Sequence, residues 1–488
     1  MKYSLVVFVG FLLWSCGSDK KARMAPAEQW RPAYHFTPPA GWMNDPNGLV
    51  YFDGEYHLFY QHYPDSTVWG PMHWGHAVSQ DLLHWEHLPI ALYPDSLGYI
   101  FSGSAVVDWK NTSGLGTEAM PAMVAIYTYH DMAAERRGDI KVESQGLAYS
   151  IDRGRTWLKY NGNPVLANPG SRDFRDPKVA WQDSYQQWVM TLAVHDHVEF
   201  YRSKDLLHWE KLSEFGKDLG SHGGVWECPD LFALKDEQGS THWVLFVSIN
   251  PGGPQGGSAT QYFVGDFDGA RFTSQDTVTR WIDHGADNYA GVTWSDIPSS
   301  DGRRLFLGWM SNWQYANVVP TKNWRSANTI PRSVSLVTRG ATHELKFEPV
   351  KEIDSMLTEP RACIKSTETE TDAYVLTLGS AGALVLSNEQ NQKTVVTWND
   401  HDLTVDRTQS GETSFSNVFA AVHKTDLSGI TVKDVRIFVD AASLEIFVNG
   451  GERVMTELVF PSSPYRRIDV TGNESNYSIQ SLRSSTPR

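Results

Sequence analysis

The sequence predicts an all-β protein in which a five-bladed β-propeller is followed by a β-sandwich domain. Two repeated patterns over the first two thirds of the chain predict the propeller. A change to short alternating strands after about residue 345 predicts the sandwich. The aromatic content of 12% suits β-strands and also pockets whose flat walls stack on sugar rings. We therefore expect residues 31–345 to form the propeller and residues 346–488 the sandwich.

The first pattern is a carboxylate with a nearby proline, followed by an apolar strand, a polar turn and a second, aromatic-rich strand. It occurs at Asp45-Pro46, at Asp176-Pro177 and at Glu227-Cys228-Pro229. A fourth hairpin follows Asp287, and residues 101–130 form a fifth unit. Spacings of about 50 to 70 residues are typical of propeller blades with long loops, so the pattern predicts five blades.

The three acids of these units are candidates for one functional site. Equivalent positions on successive blades of a propeller surround one end of its central channel. Because Asp45, Asp176 and Glu227 each precede the first strand of a unit, we expect them to converge at that end. One alternative is that Asp and Pro occur here only because both residues are common in turns. A second alternative is that Arg175 and Asp176 form a structural ion pair.

The second pattern sets a Ser and an Asp before a Trp. It reads SQDLLHW at residues 79–85, SIDRGRTW at residues 150–157 and SKDLLHW at residues 203–209. Ser and Asp side chains favour turns because their oxygens bind nearby backbone N–H groups. We predict that each copy closes the outer hairpin of a blade.

The sandwich is predicted from the alternation of apolar and polar residues after residue 345. Apolar and polar residues alternate in AYVLTL, LTVDRT, VRIFVDAASLEIFVNG and RVMTELVF, as they do in half-buried strands. About 130 residues of such strands suit two packed sheets. We expect this domain to support the propeller or to line one side of the site.

The N-terminus has the features of an export signal. Lys2 precedes an apolar run, residues 5–14, that is too short to span a bilayer. The sequence LWSC resembles a bacterial lipobox, which predicts a signal peptide at 1–15, a lipid anchor on Cys16 and a polar tether at 16–30. We expect an exported protein that is lipid-anchored to a bacterial membrane, at the cell surface or in the periplasm. The alternative is an ordinary cleaved signal, since Trp14 is atypical of a lipobox.

Net charge and histidine spacing limit the partners that we expect. A formal charge of −15 argues against nucleic acid and anionic membrane surfaces, so a neutral substrate is expected, with membrane contact only through the N-terminal anchor. His73, His76 and His84 are close in sequence, but their spacing fits no helix-borne zinc motif. We predict packing or rim positions for these histidines, and no metal or cofactor. With Cys228 and Cys363 as the other cysteines, no disulfide framework is expected.

Three segments are similar to the signature blocks of a known family. GWMNDPNG at 41–48, FRDP at 174–177 and WECPD at 226–230 resemble, in order and spacing, those of glycoside hydrolase family 32. That family contains invertases, inulinases, levanases and fructosyltransferases. The resemblance extends through 250–269, 308–331 and the C-terminal SLEIFVNGGERVMTELVFP. It implies a five-bladed propeller with an appended sandwich, the architecture that the repeats predict.

The resemblance also implies roles for individual residues. Asp45 matches the family's nucleophile, Glu227 its general acid/base, and Asp176 a transition-state stabiliser that is aided by Arg175. Ordinary core packing is the alternative for the tryptophans, and a surface amide is the alternative for Gln61. The residues that match or favour the substrate pocket are Trp42, Asn44, Gln61, Trp69, Phe101, Ser102, Arg175 and Trp313.

Retaining hydrolysis explains why the family needs these residue types. Two carboxyl groups roughly 5 to 5.5 Å apart allow one to attack the anomeric carbon while the other protonates the leaving oxygen. We expect the charge of Asp45 to keep Glu227 protonated until Asp45 carries the covalent fructosyl group. We also expect Asp176 to stay ionised, because Arg175 is its neighbour in the sequence.

The sequence favours one activity and leaves rivals open. Residues 250–269 and 308–317 look most like exo-acting enzymes, which release fructose from levan, inulin or sucrose. The alternatives are an endo-levanase or endo-inulinase, a fructosyltransferase, and a non-catalytic glycan-binding protein. Sialidases, arabinanases and xylosidases are weaker rivals, because the GWMNDPNG block belongs to the fructosyl family.

Overall fold

The computed structural model describes residues 28–274, 277–340, 342–472 and 476–483. The predicted signal, the predicted lipid anchor at Cys16 and residues 17–27 of the predicted tether lie outside these ranges. The regular structure of the described residues is almost entirely strand. The exceptions are one short α-helix, α1 (Met132–Arg137), and the 3₁₀ turns Asp183–Tyr185, Ala316–Val318 and Lys351–Met356. No helix among the described residues combines the length and the apolar character that crossing a membrane requires.

Five consecutive antiparallel sheets form the five-bladed propeller that the repeats predict. Blade 1 contains β1 (Gly41–Phe52), β2 (Glu55–Tyr63), β3 (His73–Ser79) and β4 (Glu86–Leu92), and blade 2 contains β5 (Tyr99–Val107), β6 (Met123–His130), β7 (Glu143–Ser150) and β8 (Leu158–Lys159). Blade 3 contains β9 (Phe174–Gln182), β10 (Gln187–Val194), β11 (His197–Ser203) and β12 (Glu210–Phe215).

The last two blades carry extra two-residue strands. Blade 4 contains β13 (Val225–Lys235), β14 (Thr241–Asn250), β15 (Ala259–Phe267), β16 (Phe272–Thr273) and β17 (Arg280–Trp281). Blade 5 contains β18 (Tyr289–Thr293), β19 (Arg304–Met310), β21 (Ala327–Asn328), β22 (Arg332–Arg339) and β23 (Thr342–Pro349). In the chain, β20 (Trp324–Arg325) lies between β19 and β21. It crosses to blade 1 and pairs in parallel with β1, which closes the ring.

Local sequence explains how the blades turn. Asp53 and Gly54, with φ values of 50° and 91°, form the tight turn between β1 and β2, as Asp-Gly pairs do in two-residue hairpins. The three Ser–Asp–Trp segments lie between the third and fourth strands of blades 1, 2 and 3, which confirms the predicted outer turns. In each copy the Ser hydroxyl donates to the Asp carboxylate, and the Trp indole N–H donates to the carbonyl three residues earlier.

Every blade has a β-bulge in its innermost strand, where two residues face one residue of the second strand. The five bulged pairs are Asn44–Asp45, Phe101–Ser102, Asp176–Pro177, Cys228–Pro229 and Ala290–Gly291. A bulge disrupts the regular ladder and re-aims the side chains beside it. The bulges therefore place the three acids in or directly beside an irregular part of their inner strands; β1 has a second irregularity between Asn47 and Val50.

The three acids lie within these inner strands and not before them. Glu227 immediately precedes its bulge, Asp176 is the first bulged residue of its blade, and Asp45 is the second of its own. The expectation of one equivalent position was therefore wrong: the acids occupy three successive positions around a shared feature. The reason is that strand pairing sets the register, and two identical Asp-Pro dipeptides pair differently in blades 1 and 3.

The C-terminal part forms two six-stranded sheets with a shared core of aliphatic and aromatic residues. One sheet contains β24 (Arg361–Ile364), β35 (Asn476–Ser481), β26 (Tyr374–Leu378), β31 (Val435–Asp440), β32 (Ser443–Val448) and β33 (Arg453–Leu458). The other contains β25 (Ser366–Glu368), β34 (Arg467–Thr471), β27 (Gly382–Ser387), β28 (Lys393–Trp398), β29 (Asp402–Gln409) and β30 (Val422–Asp426).

The ends of the propeller differ slightly from the predicted domain limits. β23 runs to Pro349 and pairs with β22, so blade 5 continues past residue 345. At the other end, the Trp30 indole N–H donates to the Pro461 carbonyl at 2.7 Å, and its ring contacts Phe460. We propose that the sandwich begins after residue 349 and that the tether ends before residue 28.

Buried ion pairs join the propeller to the sandwich. The Arg332 guanidinium of blade 5 lies 3.0 Å from the Asp283 carboxylate and 2.6 Å from Glu445 of the sandwich. The Arg407 guanidinium of the sandwich lies 2.7 Å from Asp287 of blade 5. These side chains are at most 1% exposed, so each charge depends on its partner for solvation.

Candidate active site

A cavity of about 490 Å³ opens at the end of the propeller that holds the bulges of blades 1, 2 and 3 and the residue before the bulge of blade 4. Residues from all five blades line it, and they fall between 44 and 317, so the sandwich does not contribute to this wall. The structure brings ten of the eleven predicted site residues together here: Asn44, Asp45, Gln61, Trp69, Phe101, Ser102, Arg175, Asp176, Glu227 and Trp313.

Asp45 lies at the base of the cavity and is only 8% exposed. Its Oδ1 accepts a hydrogen bond from the Asn44 amide at 3.0 Å, and its Oδ2 accepts one from the Ser102 hydroxyl at 2.7 Å. The Cys228 thiol donates a weaker one at 3.4 Å. Burial and the charge of Glu227 raise the pKa of Asp45, and these three donors oppose that rise. The donors therefore orient the carboxylate and favour its charged form against the effect of burial.

Asp176 is held by a backbone N–H of blade 4 and a side-chain hydroxyl of blade 2. Its Oδ2 accepts a hydrogen bond from the Cys228 N–H at 3.0 Å, and its own N–H donates to the Thr128 hydroxyl at 3.0 Å. Both Asp176 and Cys228 have left-handed φ values, 64° and 46°, as bulged residues can. The strain is tolerated because the two strained residues hydrogen-bond to each other across the blades.

The expectation that Arg175 keeps the pKa of Asp176 low was wrong. Burial raises the pKa of Asp176 well above its ordinary value; the Arg175 charge opposes this, while the charges of Glu227 and Asp45 add to it. The geometry gives the reason. The Arg175 guanidinium is directed to Glu227, Glu143 and Asp173, and none of its described hydrogen bonds reaches Asp176.

Glu227 is held between two side chains from neighbouring blades. Its Oε1 accepts hydrogen bonds from Arg175 Nε at 3.1 Å and Nη2 at 3.0 Å, and its Oε2 accepts one from the Tyr289 hydroxyl. Burial and the charge of Glu227 raise the pKa of Tyr289 well above its ordinary value, so this phenol remains a donor. The Glu227 side chain is 22% exposed and faces the cavity. It is therefore the acid best placed to exchange protons with water.

Sequence reasoning missed Tyr289 although a signal was present. Arg175, Glu227 and Tyr289 each immediately precede the bulge of their blade, in blades 3, 4 and 5. Equivalent positions on adjacent blades are neighbours in space, and the three side chains hydrogen-bond to one another in that order. Aligning the fourth predicted hairpin with the signature units would have placed Tyr289 beside Glu227.

Glu143 and His130 form a second layer behind Arg175, and sequence reasoning missed both. The Glu143 carboxylate lies 3.2 Å from Arg175 Nη1 and 3.2 Å from His130 Nδ1. Burial lowers the pKa of His130, but the bonds to Glu143 and Glu135 outweigh it and raise the pKa above its ordinary value. The His130 ring stacks on Phe101, with centroids 4.3 Å apart and planes at 8°. Glu143 and His130 therefore hold the Arg175 guanidinium and the Phe101 ring in position.

Trp42 does not line the cavity, in contrast to our prediction. It is fully buried behind the wall, where its ring stacks on Trp313 at 5.7 Å and 25°. Its indole N–H donates to the Asn44 Oδ1 at 2.7 Å, which orients the amide that contacts Asp45. The position follows from the strand register, because Trp42 precedes the bulge and pairs regularly with Tyr63. Trp42 supports the pocket from behind.

Gln61 has a buried donor aimed at the cavity. It lies opposite the bulge of β1 and is 2% exposed. Its Nε2 has no hydrogen-bond partner among the residues that the structure describes. A buried amide without a partner is costly, and a ligand hydroxyl in the cavity would satisfy it.

The histidines that are close together in the sequence do not come together as a site. His76 is buried, and its Nε2 lies 3.0 Å from Nδ1 of His57. His84 lies on the surface, with its Nδ1 2.7 Å from the Asp81 carboxylate, and His73 binds the Pro71 carbonyl. These positions agree with packing and rim roles.

The arrangement suits the cleavage of a glycosidic bond. A buried carboxylate at the base of the cavity can attack a sugar carbon, and a more exposed carboxyl group can serve a leaving oxygen and then a water molecule. Asp176 and Gln61 supply further polar groups within the same cavity.

Comparison with known proteins gives the family. Residues 35–349 match the model of the glycosyl hydrolases family 32 N-terminal domain, and residues 334–485 match the C-terminal model of the same family. The chain is 45% identical to a levanase of Bacillus subtilis over 98% of this chain and 73% of the levanase. It is 39% identical to an extracellular exo-inulinase of Aspergillus awamori over 91% of this chain and 92% of that enzyme.

The fold comparison agrees with the sequence comparison. The crystal structure of the exo-inulinase from Aspergillus awamori superposes with a TM-score of 0.85 at 36% identity, covering 94% of this chain and 99% of that one. Matches over most of the chain, together with the carboxyl-lined propeller cavity, lead to one conclusion. The chain belongs to glycoside hydrolase family 32, and it is a glycoside hydrolase of the β-fructofuranosidase type.

Proposed function

We propose that this enzyme is a retaining β-fructosidase that hydrolyses the fructosyl linkages of levan, inulin and sucrose. The observation that carries the proposal is the placement of Asp45, Asp176 and Glu227 around one set of bulges at the base of one cavity. The levanase and exo-inulinase relatives support fructans as the substrate class.

In the first step the Asp45 carboxylate attacks the anomeric carbon of the terminal fructosyl unit. The Asn44 and Ser102 donors hold the two carboxylate oxygens, so attack requires little reorientation. As the bond to the leaving oxygen breaks, Glu227 gives that oxygen its proton, and the fructosyl unit remains esterified to Asp45.

In the second step the Glu227 carboxylate removes a proton from water, and the water oxygen attacks the anomeric carbon. The ester bond breaks, fructose leaves, and Asp45 recovers its charge. The partial exposure of Glu227 supports this role because the attacking water has to reach it from the cavity. Arg175 and Tyr289 position both carboxyl oxygens without blocking the open side.

Asp176 acts as the clamp for the sugar. Burial raises its pKa and the Arg175 charge opposes the rise, and the carboxyl group lines the cavity, where it can bind sugar hydroxyls. Hydrogen bonds that sugar hydroxyls donate to the carboxylate form of this group strengthen as positive charge develops on the ring in the transition state. We place Gln61 beside it as a donor to a second hydroxyl, because its Nε2 is otherwise without a partner among the described residues.

An exo mode of action fits the shape of the cavity. Side chains from all five blades surround the acids, which favours admission of a chain end over an internal unit of a polymer. The exo-inulinase relative supports the same mode. Endo cleavage and fructosyl transfer remain the competing activities, and both leave distinct products.

We further propose that the enzyme is exported and lipid-anchored through Cys16. The apolar run at 5–14 and the lipobox-like LWSC support this proposal, as does the extracellular location in the name of the Aspergillus relative. Replacing Cys16 with Ser is expected to move the enzyme from the membrane fraction to the soluble exported fraction. An unchanged membrane fraction would remove the anchor assignment.

The activity is tested by a product time course on levan, inulin and sucrose. Free fructose as the first and main product at every time supports exo hydrolysis. Early oligosaccharides of intermediate length indicate endo cleavage, and products longer than the substrate indicate transfer. Release of no sugar from any of the three contradicts the proposal.

The acid/base role is tested with Glu227→Ala. We expect the first step to slow greatly on fructans and only slightly on fructosides with good leaving groups, which need no protonation, whereas hydrolysis of the fructosyl-Asp45 ester should slow on both. Azide should restore turnover on the activated substrate and form fructosyl azide, because an anion needs no general base. Equal losses on both substrates without rescue would contradict the assignment. Tyr289→Phe is the matched variant, since it keeps Glu227 and removes one of its donors.

A further inference from the structure

A second cluster of ionisable side chains lies outside the active site, where blade 4 meets the outer edge of blade 5. Asp236 belongs to the turn between β13 and β14, His242 to β14, and His343 to β23. One oxygen of Asp236 faces both rings: Oδ2 lies 3.1 Å from Nε2 of His242 and 3.6 Å from Nε2 of His343. Three ligand-type atoms from two blades therefore point at one place.

The spacing of these atoms fits a small tetrahedral ion. Zinc bonds to imidazole nitrogen and carboxylate oxygen are about 2.0 to 2.1 Å long, which places two ligands of one tetrahedron about 3.3 to 3.4 Å apart. The two measured separations, 3.1 and 3.6 Å, lie on either side of that value. All three atoms are within 4.8 Å of one another, so an inward movement of the two imidazole rings would bring them to ligand distances.

The carboxylate is already oriented for a ligand. Its Oδ1 accepts hydrogen bonds from the N–H groups of Gln238 at 2.9 Å and Ser240 at 2.8 Å, which leaves Oδ2 for the two histidines. Hydrogen bonds of this kind fix a ligating carboxylate in metal sites. Asp236 is 6% exposed, whereas His242 and His343 are 23% and 19% exposed, so an ion and one water molecule can reach the cluster from solvent.

The donor set selects the kind of ion. Two imidazoles and one carboxylate suit Zn²⁺ and its neighbours in the first transition row, whereas Ca²⁺ and Mg²⁺ prefer oxygen ligands alone. A contrasting group is formed by His197, Glu199 and Glu214. There the Lys211 ammonium already pairs with Glu199 and lies 3.6 Å from Glu214, so the negative charge has a partner.

We propose that Asp236, His242 and His343 bind one Zn²⁺ ion that clips blade 4 to the last strand of blade 5. The ion takes a water molecule as its fourth ligand. It has no part in catalysis, because its ligands are not among the residues that line the active-site cavity. Its effect is on stability, since β23 is the final propeller strand before the sandwich and an ion that binds only the folded state stabilises it.

The test uses untagged protein that has been dialysed against EDTA and then freed of it. Titration calorimetry with ZnCl₂ should show one ion bound per chain. Saturating zinc should raise the thermal midpoint by at least about 2 °C, and EDTA should reverse the rise. Cobalt(II) should give the visible absorption bands of a tetrahedral site. Binding of zinc without a defined stoichiometry would overturn the proposal.

Three variants assign the site. Asp236→Asn keeps the two turn hydrogen bonds, because an amide oxygen accepts them equally, yet it removes the charge; zinc affinity should fall at least about tenfold. His343→Gln should abolish the cobalt bands. His197→Gln, in the group that Lys211 occupies, is the matched control and should bind zinc normally. Normal zinc binding by Asp236→Asn and His343→Gln would overturn the proposal, whatever the outcome of the fructan assays.

Discussion

Two regions of this enzyme bury charged side chains to a similar degree but balance them differently. At the propeller–sandwich interface, Arg332 lies between Asp283 and Glu445, and each of the three is at most 1% exposed. In the cavity, Asp45 and Asp176 are 8% and 6% exposed, and neither forms an ion pair among the described residues. Burial alone therefore does not separate functional from structural acids.

The difference is visible in the direction of the pKa shifts. Burial raises the pKa of Asp283 and Glu445, but the Arg332 charge and the hydrogen bonds that each carboxylate accepts together outweigh it and hold both pKa values below their ordinary values. Burial raises the pKa of Asp45 and Asp176, and the charges of nearby acids add to the rise. Around Arg332 the pKa of both acids is lowered, whereas in the cavity the pKa of Asp45 and Asp176 is raised, even though the Arg175 charge opposes the rise at Asp176. Asp287, which pairs with Arg407 at the same interface, also has a raised pKa, so the contrast belongs to the Arg332 group and not to the whole interface.

The largest effect is expected from Asp45→Asn. Removing the nucleophile should lower kcat/KM for fructose release by about four orders of magnitude or more, because the amide cannot form the covalent intermediate. The thermal midpoint of Asp45→Asn should not fall, because the substitution removes a buried negative charge that has no ion-pair partner among the described residues. Initial rates on sucrose and levan and a thermal melt measure the two quantities.

The same substitution at the interface is the control for that comparison. Asp283→Asn removes one partner of Arg332 and should lower the melting temperature while the folded fraction keeps its activity. If Asp45→Asn were unstable and still active, and Asp283→Asn stable and inactive, the distinction between the two regions would be lost.

Arg332→Met should have the largest effect on stability. It leaves the carboxylates of Asp283 and Glu445 buried without their cation, which costs about 3–5 kcal/mol of the free energy of unfolding. Urea denaturation measures the loss. Arg466→Met removes a pair whose side chains are both 55% exposed, so it should cost less than about 1 kcal/mol. Equal losses in the two variants would contradict the role of burial.

Ser102→Ala should move the pH profile. The Ser102 hydroxyl lowers the pKa of Asp45, so its loss raises that pKa further. Asp45 has to be ionised to attack, and activity disappears as the pH falls through its pKa. The acidic limb of kcat/KM should therefore shift to higher pH.

Ser104→Ala is the matched control for this shift. Ser104 belongs to the same strand, and its hydroxyl donates to the Pro177 carbonyl and not to an acid. The acidic limb of kcat/KM of the Ser104→Ala variant should lie at the same pH as that of the unchanged enzyme. A shift in Ser104→Ala, or an unmoved limb in Ser102→Ala, would mean that the Ser102 hydrogen bond does not control the ionisation of Asp45.

Sequence reasoning predicted the parts of this enzyme that repeat. Five hairpin units predicted the propeller, because each blade contains the same strand pattern. The alternation of apolar and polar residues in the C-terminal part predicted the sandwich. The same repeats grouped the three acids into one candidate site, since Asp45, Asp176 and Glu227 each stand near a proline in a repeated unit, although their exact positions differ. Their convergence on one cavity follows from the propeller geometry.

The details that depend on pairing and packing could not be predicted. The register of each bulge decides that Asp45 and Asp176 stand one position apart, although both precede a proline. The direction of the Arg175 guanidinium depends on Glu143, which a different strand supplies. Trp42 belongs to a signature block but is buried, because strand position and not sequence proximity to Asp45 decides what faces the cavity.

Trp42→Phe should have the smallest effect and tests this last point. Phenylalanine keeps a ring against Trp313 but loses the N–H that fixes the Asn44 amide beside Asp45. A hydrogen bond worth about 1 kcal/mol predicts a roughly fivefold loss of kcat/KM. The loss should appear in kcat with KM little changed, because the indole positions the nucleophile and does not touch the sugar. Steady-state kinetics on sucrose measures the split.

Trp309→Phe is the matched control, and it decides whether the cause is the hydrogen bond or the ring. Trp309 packs against Trp42 and Trp313 in the same buried cluster, with ring centroids 6.2 and 4.9 Å away. Its indole Nε1 has no hydrogen-bond partner among the described residues, so removing that N–H costs no contact. We expect near-normal kinetics from Trp309→Phe. A rise in KM with unchanged kcat in Trp42→Phe would instead place Trp42 in contact with the substrate, as the sequence predicted.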